Sequence, residues 1–476
     1  MGRQYPRYAF GSNSRIRTLA QVILYNGLRE TDSSFLVHQH NSSLKQRDEL
    51  QNEPNMFECF AQMHKKNDGM FVDERSKRIV EEIQAERNQL QAQMQAHITT
   101  TYITHIQSSI LCAKEHDIQM KIRSGGHDFE GLSYVSDMPF FILDMFNFRS
   151  VNVNIEDETA WVEVGAILGE VYYAIANKSN VHGFPAGVCP TVGVGGHISG
   201  GGYGNMMRKY GLTVDNIIDA KLVDVNGHVL DRKSMGEDLF WAVTGAGASS
   251  FGVVTSYKIK LVRVPPRVTV FRVTRTNHQN ATSIVYRHQL VSSQLDKNLF
   301  IRLSLGVANS TTHHPGDKTI SATFIALFLG DSKTLLSTMN EDFPELGLTK
   351  DDCKEMTWIE SVLFYTQFPP GTPKEALLNR SPQGNEYTNT YFKIKSDYLQ
   401  TPMPQEGIDF IFKKMVELER VALTFNPQGG RMAEIPSTAK PFPHRLGNIA
   451  LIQYAINWNK EEQKAAGHYI DLTRQL

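Results

Sequence analysis

The sequence predicts an α+β protein built in two parts. Up to Leu261, short strand segments interleave with helical stretches, which is a mixed α and β pattern. Beyond Val262–Pro266, longer alternating segments predict antiparallel strands that helices cover on one face. The boundary between the parts is predicted at the paired prolines 265 and 266, because a proline cannot continue the interior of a strand.

The predicted elements follow one another in the order of the chain. Residues 75–97 are mostly helix formers with one apolar stripe, which favours an amphipathic surface helix over a coiled-coil partner site. The other helical patterns lie at 103–117, 168–179, 333–341 and 407–420. The strand patterns lie at 119–123, 139–145, 150–155, 159–166, 269–275, 298–305 and 319–330, with a hairpin at 216–231 around Asn226-Gly227.

The composition excludes several classes of protein. The 476 residues carry 49 Lys and Arg against 50 Asp and Glu, a net charge of −1, which argues against nucleic-acid binding and against a polybasic membrane patch. No apolar run approaches the ~20 residues that span a bilayer. Four cysteines are too few for a disulfide scaffold. Glycosylation motifs at Asn41, Asn177, Asn280 and Asn309 hint at a secretory route, although the N-terminus lacks the apolar core of a secretion signal.

The most informative segment is rich in glycine. Residues 184–205, FPAGVCPTVGVGGHISGGGYGN, contain eight glycines, which indicates backbone that approaches a ligand closely, most often a phosphate. The alternative is a floppy surface loop, but the interleaved Phe184, Ile198 and Tyr203 favour a packed loop. The order of elements does not follow the strand-to-helix layout of a Rossmann unit, so nicotinamide binding is a poor interpretation.

Two side chains near this segment can carry chemistry. His127 lies beside Asp128 in a turn that follows a strand, and Cys189 lies at the start of the glycine-rich segment. Each also has an ordinary interpretation, as a surface histidine and as a small buried residue. Neither has a partner at the short spacing of zinc ligands, which argues against a metal site.

Several long motifs together resemble those of the plant berberine bridge enzyme-like flavoproteins. This family belongs to the vanillyl-alcohol oxidase/p-cresol methylhydroxylase superfamily and includes cannabinoid-acid synthases and monolignol oxidases. The motifs are RSGGHDFEGLSY, AWVEVGAILGEVYY, GFPAGVCPTVGVGGHISGGGYG, YGLTVDNIIDAKLVDVNG and MGEDLFWAV, then CKEMTWIES, AEIPSTAKPFPHR and GNIALIQYAINW. The resemblance implies a two-lobed FAD-binding domain of the p-cresol methylhydroxylase type at 59–262, with an atypical first subdomain. An α+β substrate domain with an antiparallel sheet follows at 263–476, and residues 1–58 have no counterpart and are expected to be poorly ordered.

The resemblance also implies a cofactor and a reaction. FAD is implied to be held through His127, bonded to the 8α-methyl group, and through Cys189, bonded to flavin C6. The substrate is implied to be a small alcohol, phenolic or carbohydrate, oxidised by hydride transfer to flavin, with dioxygen as acceptor and hydrogen peroxide as product. The residues implied to bind the cofactor are Ser124, Gly125, Gly126, His127, Asp128, Cys189, Pro190, Thr191, Val192, Gly193, Gly195, Gly196, His197, Gly200, Gly201, Gly202, Tyr203 and Gly204.

The sequence departs from the family pattern in ways that bear on catalysis. Leu451 stands where relatives carry a glutamate or lysine that assists the base, and the segment that supplies the base tyrosine has no counterpart before Leu476. We therefore expect a truncated chain, with Gln453 as the remaining catalytic candidate. Tyr172 and Tyr203 are candidates to reach the pocket, with a structural role as the alternative. The alternative function is a catalytically silent flavin-binding protein, and a flavin-free cell-wall-binding module has only the glycosylation motifs in its favour.

Further expectations accompany the resemblance. Cys59 is implied to form a disulfide with Cys112 in an oxidising compartment. Ala246 and Ala248 occupy a turn that in the family usually holds only glycines, so this turn has to accommodate two methyl groups. The expected partners are a small-molecule substrate and dioxygen, without nucleic acid or membrane, and the chain is expected to be a monomer. Relatives are typically secreted to the apoplast or vacuolar, which the N-terminus does not support.

Overall fold

The computed structural model describes residues 101–138, 140–310, 317–381, 390–459 and 462–474. The chain forms two compact units, Met1–Met120 and Lys121–Leu476. In the first unit, helix α1 (Thr101–Glu115) confirms the helix predicted at 103–117. The helix predicted at 75–97, the order of residues 1–58, and Cys59 all lie outside the described residues. Cys112 is a free cysteine, so its bridge to Cys59 stays a prediction.

Thirteen elements precede the predicted boundary after α1. In chain order they are β1 (Gln119–Arg123), β2 (Phe140–Asp144), β3 (Val151–Asn154), β4 (Thr159–Glu163), α2 (Leu168–Lys178), β5 (His182–Gly183), α3 (Val194–Ser199), α4 (Met207–Tyr210), β6 (Ile217–Val223), β7 (Val229–Leu230), α5 (Arg232–Val243), β8 (Val253–Lys260) and β9 (Val262–Arg263). Strands β3, β4, β8, β6 and β7 form an antiparallel sheet in that order, and β1 pairs with β2. The strands and the helix predicted in this part are confirmed.

Two predictions for this part need correction. The hairpin is present as β6 and β7, but its connection is five residues, 224–228, rather than a two-residue Asn226-Gly227 turn. The Asp224 carboxylate stabilises this longer turn by accepting hydrogen bonds from the N–H groups of Asn226 and His228, both at 2.8 Å. The glycine-rich segment is not entirely a loop, because it contains α3.

The second part contains a larger sheet. Its elements are β10 (Val268–Thr276), α6 (Ala281–Val291), β11 (Leu299–Asn309), β12 (Lys318–Phe328), α7 (Ser332–Asp342), β13 (Lys354–Met356), α8 (Trp358–Tyr365), β14 (Thr390–Leu399), α9 (Gln405–Leu418), β15 (Ala422–Pro427), α10 (Arg431–Glu434), β16 (Ala450–Asn459) and α11 (Ala466–Arg474). The strands form one antiparallel sheet in the order β13, β10, β12, β11, β15, β16 and β14. The predicted strands β10, β11 and β12 and the predicted helices α7 and α9 are confirmed.

The two faces of the seven-stranded sheet differ in character. One face carries buried apolar side chains such as Phe271, Leu303, Phe324 and Phe425, which pack in a single core with α6, α7 and α9. The opposite face is apolar on β10, β12 and β11, where Val270, Leu327 and Phe300 are buried, and becomes polar towards β14. Four polar residues on neighbouring strands lie directly opposite one another, so their side chains share this face. They are Ser304 on β11, Thr424 on β15, Gln453 on β16 and Ser396 on β14.

Helix α8 covers the apolar part of the second face, where the Phe364 ring contacts the Arg272 guanidinium and the Tyr365 hydroxyl donates to Ile325 O. The prediction that helices cover only one face is therefore wrong, and the polar part of the second face is the part available to build a site.

Two buried arginines connect the two parts of the Lys121–Leu476 unit. Arg208, on α4, donates to main-chain carbonyls in the α6–β11 connection and after β15. Arg445 makes a two-pronged pair with Asp215, at 2.8 and 2.9 Å, and both side chains are buried. The five-stranded sheet ends at Lys260 and the seven-stranded sheet begins at Val268. The exact domain limits, 59–262 and 263–476, stay a prediction.

Candidate functional site

The turn after β1 touches the glycine-rich segment directly. Ser124 Oγ donates to Val164 O at 2.5 Å and accepts from the N–H of Gly195 at 3.2 Å. A Cβ placed on Gly125 would lie 2.3 Å from Gly193 N, and one on Gly193 would lie 2.1 Å from Gly125 N. The two backbones thus pass each other so closely that no side chain fits between them. The structure therefore brings together the turn that carries His127 and the glycine-rich segment, the two segments that the sequence singled out.

Gly126 has a second constraint. Its φ of +70° lies in the left-handed region, and a Cβ there would lie 1.6 Å from Tyr134 Oη. The Tyr134 hydroxyl donates to Gly126 O at 3.0 Å and fixes this peptide. Among the described residues, the N–H groups of Gly125 and Gly126 donate to no protein acceptor. These donors and the absence of a Cβ suit the close approach of an anionic ligand such as a pyrophosphate.

The glycine-rich segment is packed, as predicted, rather than floppy. It runs beside the start of α2, where Leu168 N–H donates to Val192 O at 3.0 Å and Gly169 N–H donates to Pro190 O at 2.9 Å. Val194 and Ile198 are fully buried on α3. Gly200, Gly201, Gly202 and Gly204 follow α3 and carry the backbone towards α4. The backbone of this segment is therefore held in one place before any ligand binds.

His197, a predicted cofactor-binding residue, has its side chain engaged with the loop itself. Its Nε2 accepts from the N–H of Gly187 at 3.1 Å and lies 3.0 Å from Thr213 Oγ1. Burial lowers the pKa of His197 to about 4, so the ring is neutral near pH 7. The side chain stabilises the path of the loop, and a direct contact with a cofactor stays a prediction.

His197 and the buried His288 of α6 make stability depend on pH. Burial also lowers the pKa of His288 to about 4, whereas an unfolded histidine titrates near ~6.5. The unfolded state therefore binds more protons between these values, and stability is lost as the pH falls. We expect each histidine to remove about 2 kcal/mol between pH 7 and pH 5. Urea unfolding of wild type and His288→Leu at both pH values checks this, since the carboxylates titrate in both proteins. An equal loss in both would contradict it.

His127 and Cys189 lie beside the same short stretch of the glycine-rich segment. Burial lowers the pKa of the His127 imidazole, and the nearby backbone of Thr191, two residues beyond Cys189, opposes this shift. Cys189 is a free cysteine with an exposed surface, yet the surrounding protein raises the pKa of its thiol, opposed by the charge of Arg302. A side chain that solvent can reach and that is still desolvated lies in a concavity. The structure therefore places both predicted tether residues at the wall of the same recess.

The polar face of the large sheet borders this recess. Burial raises the pKa of the Tyr203 phenol, while the charge of Arg302 and the nearby side chain of Gln453 oppose the rise. Arg302 Nε donates to Asn426 Oδ1 at 2.8 Å. The thiol of Cys189, the phenol of Tyr203 and the guanidinium of Arg302 therefore influence one another electrostatically, with Gln453 beside Tyr203. That Tyr203 reaches the substrate pocket, and the catalytic roles of Tyr203 and Gln453, stay predictions.

Tyr172, the other candidate tyrosine, lines a small cavity together with Val188 and Tyr365, and its side chain is held by structural contacts. Its hydroxyl donates to Gly187 O at 2.5 Å, and its ring makes an edge-on contact with Trp358 at 5.5 Å between centroids. Burial raises its pKa far above the usual range, so the phenol stays protonated.

The turn with two alanines is also accommodated, because the positive φ angles fall on Gly245 and Gly247 and not on Ala246 or Ala248.

Sequence reasoning missed Arg302, Asn426, Tyr398 and His444, which lie near this site. Arg302 and Asn426 interrupt the apolar pattern of β11 and β15, which was the available signal. Tyr398 stacks on His444 at 3.9 Å between ring centroids, and burial next to Tyr203 raises the pKa of Tyr398 to about 12. Leu451 lies opposite both Asn426 and Tyr398 in the sheet. The Leu451 side chain cannot accept a proton, so no base is present at this position of the sheet.

These features define a flavin-dependent oxidoreductase: a side-chain-free cradle for a pyrophosphate, a histidine and a cysteine on one recess, and a polar pocket beside them. Within the described ranges, no cluster of His, Cys, Asp or Glu could hold a metal ion. No helix in the described part of the chain is long and apolar enough to cross a membrane.

Comparison with known proteins identifies the family. A sequence model of FAD-binding domains matches residues 94–232, and a model of plant transposases of the Ptta/En/Spm family matches residues 20–118, mostly outside the described residues. Berberine bridge enzyme-like 8 of Arabidopsis thaliana is 56% identical over 80% of this chain and 71% of its own length. Berberine bridge enzyme-like 9 of the same plant is 54% identical over 80% of this chain and 70% of its own length.

Solved structures agree with this assignment. Berberine bridge enzyme-like 28 of Arabidopsis thaliana has a TM-score of 0.73 and 42% identity over 78% of this chain and 75% of that chain. The grass pollen allergen Phl p 4, described as having glucose dehydrogenase activity, has a TM-score of 0.73 and 41% identity over 79% of this chain and 74% of that chain. The chain belongs to the berberine bridge enzyme-like family of FAD-linked oxidases. The predicted α+β fold of the p-cresol methylhydroxylase type and the predicted FAD cofactor are confirmed.

Proposed function

We propose that this chain oxidises a small alcohol, phenolic or carbohydrate with FAD as the hydride acceptor and dioxygen as the final electron acceptor. The observation that carries the proposal is the recess where His127 and Cys189 lie next to the Tyr203–Gln453 pair. Phl p 4, a structural neighbour, is described as having glucose dehydrogenase activity, which supports a carbohydrate among the candidate substrates.

The residues of the site have separable roles in this proposal. The backbones of Gly125, Gly126 and Gly193 would hold the pyrophosphate, and His127 and Cys189 would hold the flavin ring through covalent bonds. Each bond would replace one flavin C–H and one N–H or S–H, and the two electrons and two protons released would pass through the flavin to dioxygen, giving hydrogen peroxide. FAD, when bound, accepts a hydride from the substrate carbon. The Tyr203 hydroxyl and the Gln453 side-chain amide orient the substrate hydroxyl.

Leu451 favours a second candidate function, a flavin-binding protein without turnover. Help from a general base is typically worth about 10²–10⁴-fold in rate, and leucine cannot accept a proton. Peroxide formation over a panel of alcohols, phenolics and sugars separates the two functions. Turnover of any of these substrates supports the oxidase, and a yellow protein that produces no peroxide supports the silent flavoprotein.

Acid precipitation tests the covalent attachment. We expect wild type to give a yellow pellet, because two side-chain bonds keep the flavin attached after unfolding. His127→Ala and Cys189→Ser should each retain one bond and shift the flavin spectrum, and the double variant should release all its flavin. Cys353→Ser is the matched control, because Cys353 is a free thiol on another part of the fold, next to Thr349 O. A colourless wild-type pellet from a protein that binds FAD would exclude covalent attachment.

A further inference from the structure

The segment after His127 is folded back on itself. Asp128 Oδ1 accepts hydrogen bonds from the N–H groups of Glu130, at 3.0 Å, and Leu132, at 2.9 Å. Tyr134 then returns to Gly126, the residue just before His127, through its hydroxyl group. Residues 128–138 therefore form a compact segment with its base at the turn that carries the first tether. We call it the tether segment.

The tip of the tether segment contacts the edge strand of the seven-stranded sheet. Glu130 pairs with Lys393 and, at 2.9 Å, with Lys395, both on β14. The ring of Phe129 makes an edge-on contact with Phe392 of the same strand, at 5.7 Å between centroids. Glu130, three residues after His127, thus pairs with two lysines of β14, and the contact between Phe129 and Phe392 lies beside these ion pairs.

The place of β14 gives these contacts a functional meaning. Ser396 of β14 lies directly opposite Gln453, and the same strand carries Tyr398 of the pocket. His127, at the other end of the tether segment, has its imidazole near the backbone of Thr191. The tether segment therefore connects the first tether residue to the edge strand of the seven-stranded sheet. Lys393 and Lys395 of this strand alternate with Ser396 and Tyr398, so the lysines lie on the other face of the strand.

We propose that Glu130 is a positioning residue that holds the tether segment against β14 and so keeps His127 in place for attachment to FAD. The inference rests on the proposed covalent attachment at His127. Glu130 and Lys395 are partly exposed, so their attraction is modest and falls with salt. Loss of Glu130 should therefore loosen the segment and slow attachment without unfolding the protein.

The test uses the full chain with Cys189→Ser, so that His127 is the only possible tether. In that background, Glu130→Gln should lower the rate of acid-stable flavin attachment about 2- to 10-fold, the range that two partly exposed ion pairs supply. Chymotryptic cleavage after Phe129, Leu132 or Tyr134 should rise by a similar factor. At 1 M salt the difference between the two proteins should shrink, because screening weakens the pairs in the parent.

Two further variants make the result specific. Glu237→Gln removes an exposed partner of Arg232 elsewhere and should change neither readout. Exchanging the charges, with Glu130→Lys, Lys393→Glu and Lys395→Glu together, should restore attachment towards the parent rate. If the Cys189→Ser parent carries no acid-stable flavin, the His127 tether and this inference both fail. If the parent carries it and Glu130→Gln changes neither attachment nor cleavage, the inference fails while the proposed function stands.

Discussion

Replacing Arg208 by methionine is expected to lower the free energy of unfolding by about 3–5 kcal/mol. Arg208 is 1% exposed, and its guanidinium donates only to main-chain carbonyls. These carbonyls belong to Ser293, Leu295, Asp296, Leu299 and Gln428. Methionine fills most of the volume but donates no hydrogen bond, so these carbonyls lose the guanidinium and, for example, Asp296 O keeps only the N–H of Leu299 among the described residues. The cost of buried unsatisfied groups is larger than the cost of a lost contact.

Lysine is not an adequate replacement for Arg208. An ammonium has three donors on one atom, whereas the five donors of a guanidinium spread over a plane and reach carbonyls on two connections at once. Burial lowers the pKa of Arg208 to about 10, so the group is charged at pH 7 in the folded protein. We expect Arg208→Lys to lose most of the same stability.

Urea unfolding followed by circular dichroism measures both effects. The matched control is Arg431→Met, the same substitution at a half-exposed surface pair with Glu434, which should change stability by less than about 1 kcal/mol. Equal unfolding midpoints for the Arg208 and Arg431 variants would show that the buried contacts contribute nothing.

Local sequence pattern was sufficient for much of the fold. The alternation of β11 predicted a half-buried strand, and the structure gives it eleven paired residues against β12. Glycine density predicted a loop at 194–199, where α3 forms instead. Low helix propensity was overcome there because Val194 and Ile198 gain more from burial than the glycines lose.

The site was predictable only where an unusual motif carried it. His127 and Cys189 lie in glycine-rich turns that attract attention in a single sequence. Arg302 and Asn426 could not be assigned, because their role depends on which strands are neighbours and in what register. That order, with β15 between β11 and β16, is set by long-range packing, and no local pattern encodes it.

Gly125→Ala is expected to weaken FAD binding strongly. The fraction of the protein that carries FAD should fall at least about tenfold. The added methyl group would lie 2.3 Å from Gly193 N and 2.8 Å from Gly193 Cα, and both are backbone atoms of a loop that is pinned to α2. Relieving such a clash requires the two backbones to separate, and strain of this kind typically costs about 1–3 kcal/mol. A loss of about 1.4 kcal/mol in the free energy of FAD binding lowers the affinity tenfold. We therefore expect the variant to lose FAD while the protein stays folded.

The ratio of flavin to protein absorbance in the purified variants measures this, and Gly196→Ala sharpens it. A Cβ at Gly196 meets no protein atom within 4 Å, so the free protein should be as stable as wild type or slightly more so. If FAD lies against this backbone, Gly196→Ala should still lower flavin content, because its methyl group clashes only with the cofactor. Gly467→Ala, in the open on α11, should bind FAD as wild type does. Full flavin content in Gly125→Ala would show that the cofactor does not depend on the contact between the two segments.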